Sequence, residues 1–287
     1  MTLFKNILIT ILAGAIGALS VTYVTAPPPA TSSKESVYSR IMRTKTLRCG
    51  YFPSPIYNEV DPNTGKVSGV YADLMERIAQ DWNIKIDWAE EVSASGMYEG
   101  FKTGRYDMLC SANTITAART LVADFSNPIA YPTFYLFVRE GDHRFDNAYE
   151  KANDPTIRMI TYDGYFGATV TKEYFPKAKL SSLPELSNDV DILMSVVSGK
   201  ADGGVMAGIV GADFMKKNPG KIRRVKGAPL RYPSLVLGLP KNEAELKAAL
   251  NTSLTYYQET GVIEKILQKQ GLTKDILLRI AKPYQTP

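Results

Sequence analysis

From Thr46 onward the apolar positions change period repeatedly, and each change predicts an element. Residues 47–52 form an apolar run of strand length. Over 70–82 the spacing becomes helical, with Val70, Leu74, Ile78 and Trp82 on one face, and 84–88 alternates like a strand. A helix near 96–103 leads to Asp107-Met108-Leu109-Cys110, again of strand type, and 131–139 reads as one long strand. The plan then repeats as strand 158–162, helix 164–174, strand 178–183, helix 189–198, strand 203–206 and helix 210–217. Residues 234–239 read as a further strand, and 243–270 as one or two helices broken at Gly261. Alternation of this kind predicts an α/β fold with mainly parallel sheets under helices, and ligand groups on loops at the strands' carboxyl ends. By that rule Tyr51, Phe52, Ser54 and Tyr57 face one crevice together with 111–114. At 287 residues the chain exceeds one typical core, so two lobes are expected.

The first residues are of a different composition. Lys5 precedes 7–24, an uncharged and largely apolar run of 18 residues, and Val24-Thr25-Ala26 before Pro27-Pro28-Pro29 has the form of a signal-peptidase site. Two readings of 1–26 stay open: a cleaved export signal, or a retained inner-membrane anchor formed by 7–24, which is just long enough to span a bilayer. The Gly14-Ala15-Ile16-Gly17 spacing and the proline after the cleavage point favour retention. Either way the body of the chain is exported. Residues 27–43 are expected to be a tether, Pro/Ser/Thr-rich up to Ser36.

Composition mainly excludes. With 45% hydrophobic and 22% charged residues and a net charge of +5, the chain is ordinary, and its scattered basic residues give no nucleic-acid footprint. One histidine and two cysteines leave no ligand set for structural zinc, and no cofactor is expected. His143 lies in a polar connection, no G-x-S-x-G elbow or phosphate loop occurs, and Glu90 and Glu91 would point to opposite faces of a strand.

The sharpest local signal is 111–126, S-A-N-T-I-T-A-A-R-T-L-V-A-D-F-S. Thr116 can cap a helix whose third position is Arg119. A cation there works against the helix dipole, but its planar fork suits a ligand carboxylate. The competing reading pairs Arg119 with Asp124 or another surface acid.

This stretch, T-I-T-x-x-R-x-x-x-x-D-F-S before an aromatic run, resembles the family 3 extracellular solute-binding proteins, receptors for polar amino acids that feed ABC importers. T-L-R-C-G-Y-F at 46–52, S-G-V-Y-A-D-L at 68–74, K-T-G-R-Y-D-M at 102–108 and F-P-K-A-K-L at 175–180 agree in order, so the resemblance covers 44–271. It implies a two-lobed type II periplasmic-binding-protein fold with a two-stranded hinge, lobe 1 being 44–137 and 240–287 and lobe 2 being 138–239. It implies a periplasmic, monomeric receptor that meets a permease and closes on a small carboxylate-bearing solute. The residues it points to are Arg119, Ser111, Ala112, Thr114, Tyr51 and Phe52 in lobe 1, and Asp163, Tyr165, Phe166 and Ala207 in lobe 2. Cys49 and Cys110 fall on neighbouring strands of such a sheet, where a disulfide and two free thiols both remain open.

The chain departs from the amino-acid receptors in three places. The Gly-Thr or Gly-Ser turn of lobe 2 is replaced by Asp163-Gly164-Tyr165-Phe166-Gly167, the aspartate that pairs with the ligand ammonium by Ala207, and the covering aromatic by Ala94. The preferred ligand is therefore an acid held by Arg119 with its body against the aromatics. Second comes an amino acid or amine whose nitrogen meets Asp163. A membrane-tethered sensor working with a partner protein, and a dehydratase-like enzyme using Asp163, are the alternatives to transport.

Overall fold

The computed structural model describes residues 35–281 except 185, 186 and 275. The readings of 1–26 and of 7–24 lie outside the described residues. The described residues from Val37 onward belong to one compact unit.

In chain order the first lobe holds α1 (Val37–Thr44), β1 (Thr46–Tyr51), the short pair β2 (Glu59–Val60) and β3 (Val67–Ser68), α2 (Val70–Trp82), β4 (Lys85–Glu91), α3 (Glu99–Thr103), β5 (Met108–Thr114) and β6 (Asp124–Phe125). After β7 (Tyr131–Pro132) the second lobe runs through β8 (Phe134–Arg139), β9 (Arg158–Tyr162), α4 (Phe166–Tyr174), β10 (Lys179–Leu183), α5 (Asp189–Val197), β11 (Gly203–Ala207), α6 (Gly208–Lys217) and β12 (Ile222–Arg224). The chain returns with β13 (Leu235–Leu239), α7 (Ala244–Glu259), α8 (Val262–Lys269) and β14 (Leu277–Leu278). The sheets are ordered β4-β1-β5-β13-β6 and β10-β9-β11-β8-β12. In each sheet four strands run the same way and one, β13 or β8, runs against them, so the sheets are mainly parallel as expected, with one antiparallel member.

Local chemistry accounts for the elements that matter. α2 buries Val70, Leu74 and Ile78, the stripe its spacing predicts, and ends at Asn83 in the left-handed conformation, whose N–H bonds the Ala79 and Gln80 carbonyls. A matched aspartate fixes strand register in each lobe. Asp107 accepts from the Arg48 amide at 2.7 Å and returns its own amide to the Arg48 carbonyl at 2.8 Å, with the Arg40 and Arg48 guanidinia on its carboxylate. Asp202 does the same with Arg158, at 2.9 and 2.7 Å. Cys49 on β1 and Cys110 on β5 are bridged, with Cα atoms 5.4 Å apart.

Strand membership moves the expected lobe boundaries. β8 pairs wholly within the second sheet and β13 within the first, so the crossings lie before Phe134 and before Leu235 instead of at 137/138 and 239/240. Between them Ala130 bridges Leu235 and Phe134 bridges Arg231, a two-stranded connection, and β14 pads it by pairing with β7. The expected strand over 131–139 breaks at Thr133, whose carbonyl turns to accept from Gly208 N.

Two expectations are corrected. The expectation of a tether over 27–43 fails for 37–43, because 37–44 is a helix that buries Ile41 completely and anchors its first amide on Glu243 at 2.9 Å, while 27–34 lie outside the described residues. The helix expected after Thr116 is one 3-10 turn, Arg119–Leu121; Thr116 does cap the Arg119 amide at 3.2 Å, but Leu121 is 80% exposed and no apolar face sustains a longer helix. Among the described residues no helix is long and apolar enough to cross a membrane.

Candidate functional site

The carboxyl ends of β1, β5, β9 and β11 converge on a cleft between the lobes that encloses about 540 Å3 of atom-free space, its open mouth included. One wall is organised by β5. Its end presents Asn113 and Thr114, and the 3-10 turn folds Arg119 back onto them. Arg119 Nη1 donates to Asn113 Oδ1 at 3.0 Å, to the Thr114 carbonyl at 2.8 Å and to Thr114 Oγ1 at 2.9 Å. Asn113 is itself held by Tyr98, whose hydroxyl is 2.8 Å from Asn113 Nδ2. Nη2 reaches across the cleft to the Gly164 carbonyl of lobe 2 at 2.6 Å.

All these partners are neutral. Asp124, the competing partner, pairs with Lys241 at 2.9 Å, and among the described residues no carboxylate compensates Arg119. Burial lowers the guanidinium's pKa, with Tyr98 and Tyr162 opposing, but an arginine stays charged. The cleft therefore carries an uncompensated cation.

The other wall starts at the N-terminus of α5. Asn188 caps that helix with a reciprocal bond to Asp191, which fixes the first helical residue, Asp189, beside the end of β9. Asp189 is buried and accepts from Tyr162 Oη at 3.0 Å and, across the cleft, from Ser54 Oγ at 3.0 Å. Burial raises its carboxyl above the ordinary carboxylate value, with the Ser54, Tyr162 and Tyr165 hydroxyls pulling the other way. Burial also raises the hydroxyl pKa values of Tyr57, Tyr162 and Tyr165, and the Asp189 carboxylate adds to each.

Phe52, Ala112, Thr114, Arg119, Tyr165, Phe166 and Ala207 all line the cleft, as do Ser54 and Tyr57. Three expected residues do not. Ser111 is fully buried, its hydroxyl accepting from the Phe52 amide at 3.0 Å, so it ties the ends of β1 and β5 together. Tyr51 turns to the opposite face and packs edge-on against Trp88, ring centroids 5.5 Å apart. Asp163 is exposed on its turn and accepts from Ser182 Oγ at the end of β10. It supplies no charge to the cleft. Ala94 stands where an aromatic was missed, and its backbone packs directly on Gly164.

The sequence reading missed Asp189, Tyr162 and Phe134. The Ser187-Asn188-Asp189 run before an apolar stretch marks a helix start, and that was its only signal.

A model of the bacterial extracellular solute-binding proteins, family 3, matches residues 47–272. The probable amino-acid-binding protein YxeM of Bacillus subtilis is 24% identical over 209 residues, covering 71% of this chain and 76% of that relative. Among solved structures, the ancestral amino acid-binding protein AncCDT-1, described as a precursor of cyclohexadienyl dehydratase, superposes with TM-score 0.73 at 26% identity, covering 82% of this chain and 99% of that one. The cysteine-binding protein of Campylobacter jejuni shares the fold, with TM-score 0.74 at 16% identity over 86% of this chain and all of that one.

Proposed function

Because the chain belongs to the bacterial extracellular solute-binding proteins of family 3, we propose that it is the exported substrate-binding component of an ABC importer, and that it captures a small carboxylate-bearing solute of the amino-acid class between its lobes. The observation that carries this reading is Arg119, a largely desolvated cation held by neutral groups on both lobes, with no carboxylate to pair with among the described residues. A desolvated charge without a counter-ion is costly, and a ligand carboxylate relieves that cost. Nη1 is committed to β5, so the solute is received on the Nη2 side, in exchange for the Gly164 carbonyl. Groups from both lobes then hold one ligand, which couples binding to closure.

Binding without chemistry is supported by the relatives, which are named as binding proteins. His143 stands outside the cleft, paired with Asp146 at 3.0 Å.

The test is a thermal-shift screen of the full chain, denatured and refolded to strip carried-over ligand, against amino acids, keto acids, dicarboxylates, aromatic acids and polyamines. A ligand at about 100 times its Kd adds roughly 2.7 kcal/mol, a shift of about 5–10 °C for a chain of this size. The reading expects the hits to carry a carboxylate and to vanish in Arg119→Ala. Hits among amines lacking a carboxylate, undiminished in that variant, would contradict it.

A further inference from the structure

Behind Arg119 stands a buried amide where an acid would fit. Asn113 is 2% exposed, and its Oδ1 accepts from Arg119 Nη1 at 3.0 Å and from the Thr114 amide at 2.8 Å. Two donors on that side fix which way the amide faces, so Nδ2 lies on the other side, 2.8 Å from the Tyr98 hydroxyl. Gly238 on β13 leaves room for this nitrogen, since a Cβ there would stand 3.2 Å from Nδ2, tighter than ordinary contact. Aspartate has the shape of asparagine and would keep these contacts. Its carboxylate would accept from Arg119, from Thr114 and from Tyr98, whose hydroxyl can donate as well as accept. It would also compensate a buried cation that has no carboxylate partner among the described residues. Stability alone favours the acid at this position, and the chain carries the amide.

We propose that Asn113 is a specificity-determining residue of the cleft: its amide, held by Tyr98, fixes one arm of the Arg119 guanidinium without neutralising it, and so reserves the charge for an anionic solute. This rests on the Arg119 reading and adds the residue that keeps an internal counter-ion out of the site. Neither Asn113 nor Tyr98 lines the cleft, so both act through Arg119 as positioning residues. A carboxylate at 113 would compete with the solute's own carboxylate for one guanidinium. It would gain stability and lose affinity, the exchange expected where a binding site is left unsatisfied for its ligand.

The test uses the refolded full chain with its Asn113→Asp, Arg119→Ala, combined Asn113→Asp and Arg119→Ala, and Tyr98→Phe variants. Melts without solute come first. At pH 7 Asn113→Asp should melt above the parent by roughly 4 °C or more, and the gain should reverse in the Arg119→Ala background, where the new carboxylate is buried without a partner. A carboxyl held below its ordinary value by Arg119 contributes stability above that value and loses it as pH falls through the folded value, so the gain should fade in acid. Affinities for L-glutamate, L-lysine and hexanoate are then measured by calorimetry. Asn113→Asp should weaken whichever of them bind by about 100-fold, because the solute's charge raises the pKa of the new carboxyl. A loss of that size is a difference of about two pKa units between the empty and the occupied cleft, so the variant-to-parent ratio should shrink about tenfold per pH unit across that window. The groups around position 113 are Arg119, Tyr98, Tyr71 on α2 and, across the cleft, Tyr162, and none of them titrates in acid. Asp189 and the solute titrate in both proteins and cancel in the ratio, so the narrowing reports position 113 and a merely structural role would not produce it. Tyr98→Phe should weaken binding roughly five- to tenfold at every pH. An Asn113→Asp variant that fails to refold, melts no higher than the parent, or gains equally without Arg119 would overturn the proposal. Parent-like affinity in Asn113→Asp beside abolished binding in Arg119→Ala would overturn it while sparing the Arg119 reading. Parent-like affinity in Arg119→Ala would overturn that reading and this proposal with it.

Discussion

Gly164→Ala separates lobe closure from folding. At φ +78° an L side chain costs roughly 1–2 kcal/mol, and that cost falls on the folded chain whether the lobes touch or part. In the closed cleft an added Cβ would also sit 2.5 Å from the carbonyl carbon and oxygen of Ala94 and from Ser95 N, about 0.9 Å short of the 3.4 Å at which ordinary contact begins. These are backbone atoms of the facing lobe and cannot rotate away. Overpacking of this kind costs about 1–3 kcal/mol. The closed state is therefore disfavoured by roughly 5- to 150-fold, and apparent affinity falls by the same factor when the closed fraction is small. Small-angle scattering with and without saturating solute, paired with a thermal melt, reads both effects. The variant should melt about 2–8 °C lower and remain expanded where the parent compacts. A lower melt with unchanged compaction and affinity would show that Gly164 does not govern closure.

Other consequences follow from the same contacts. Breaking the Cys49–Cys110 bridge by reduction or by Cys49→Ala should lower unfolding free energy by about 4 kcal/mol on the chain-entropy account, since it frees a loop of 61 residues; coincident urea curves with and without reductant would refute this. Asp107→Asn should cost about 3–5 kcal/mol, because its carboxylate is 1% exposed beneath two arginines, whereas Asp202→Asn should cost less, its arginine partners being a third to half exposed; equal losses in denaturant unfolding would contradict the burial argument. Asp189 has a raised carboxyl pKa, so its contribution to the stability of the empty protein is complete below the ordinary value of 3.8 and is lost as pH rises through the folded value. The facing groups, Ser54, Tyr57, Tyr162, Tyr165 and Arg119, do not titrate there, so Asp189→Asn should flatten the stability–pH curve in that window, and an unchanged slope would assign the effect elsewhere.

Much of the fold was legible because long apolar stripes are strong signals. The helix 70–82 and the strand 158–162 appear with the ends their spacing predicts. What failed depended on partners remote in sequence. The helix 37–44 follows a Pro/Ser/Thr run and is held by Glu243 and Asp107, which no local pattern announces. The helix expected at Arg119 had a sound cap but no buried face, and caps alone do not sustain helices. The site divides in the same way. Arg119 was legible because a cation in a first turn is locally misplaced. Asp189 was not, because an aspartate in a first turn is locally well placed; it is buried, and Ser54, which donates to it across the cleft, lies 135 residues away. Asp163 misled for the opposite reason: the strand-end rule predicts position along the chain, but not that the side chain turns out to Ser182 on the neighbouring strand.

The most direct test of the central claim is a calorimetric titration of the refolded full chain, with Arg119→Lys and Arg119→Ala beside the parent, using the solute that gives the largest thermal shift. Losing a buried charge partner costs about 3–5 kcal/mol, so the alanine variant should bind two to three decades more weakly, and lysine, keeping the charge without the fork, should fall between. Equal affinity in all three would mean that the solute's carboxylate does not rest on Arg119, and the account of the cleft would fail.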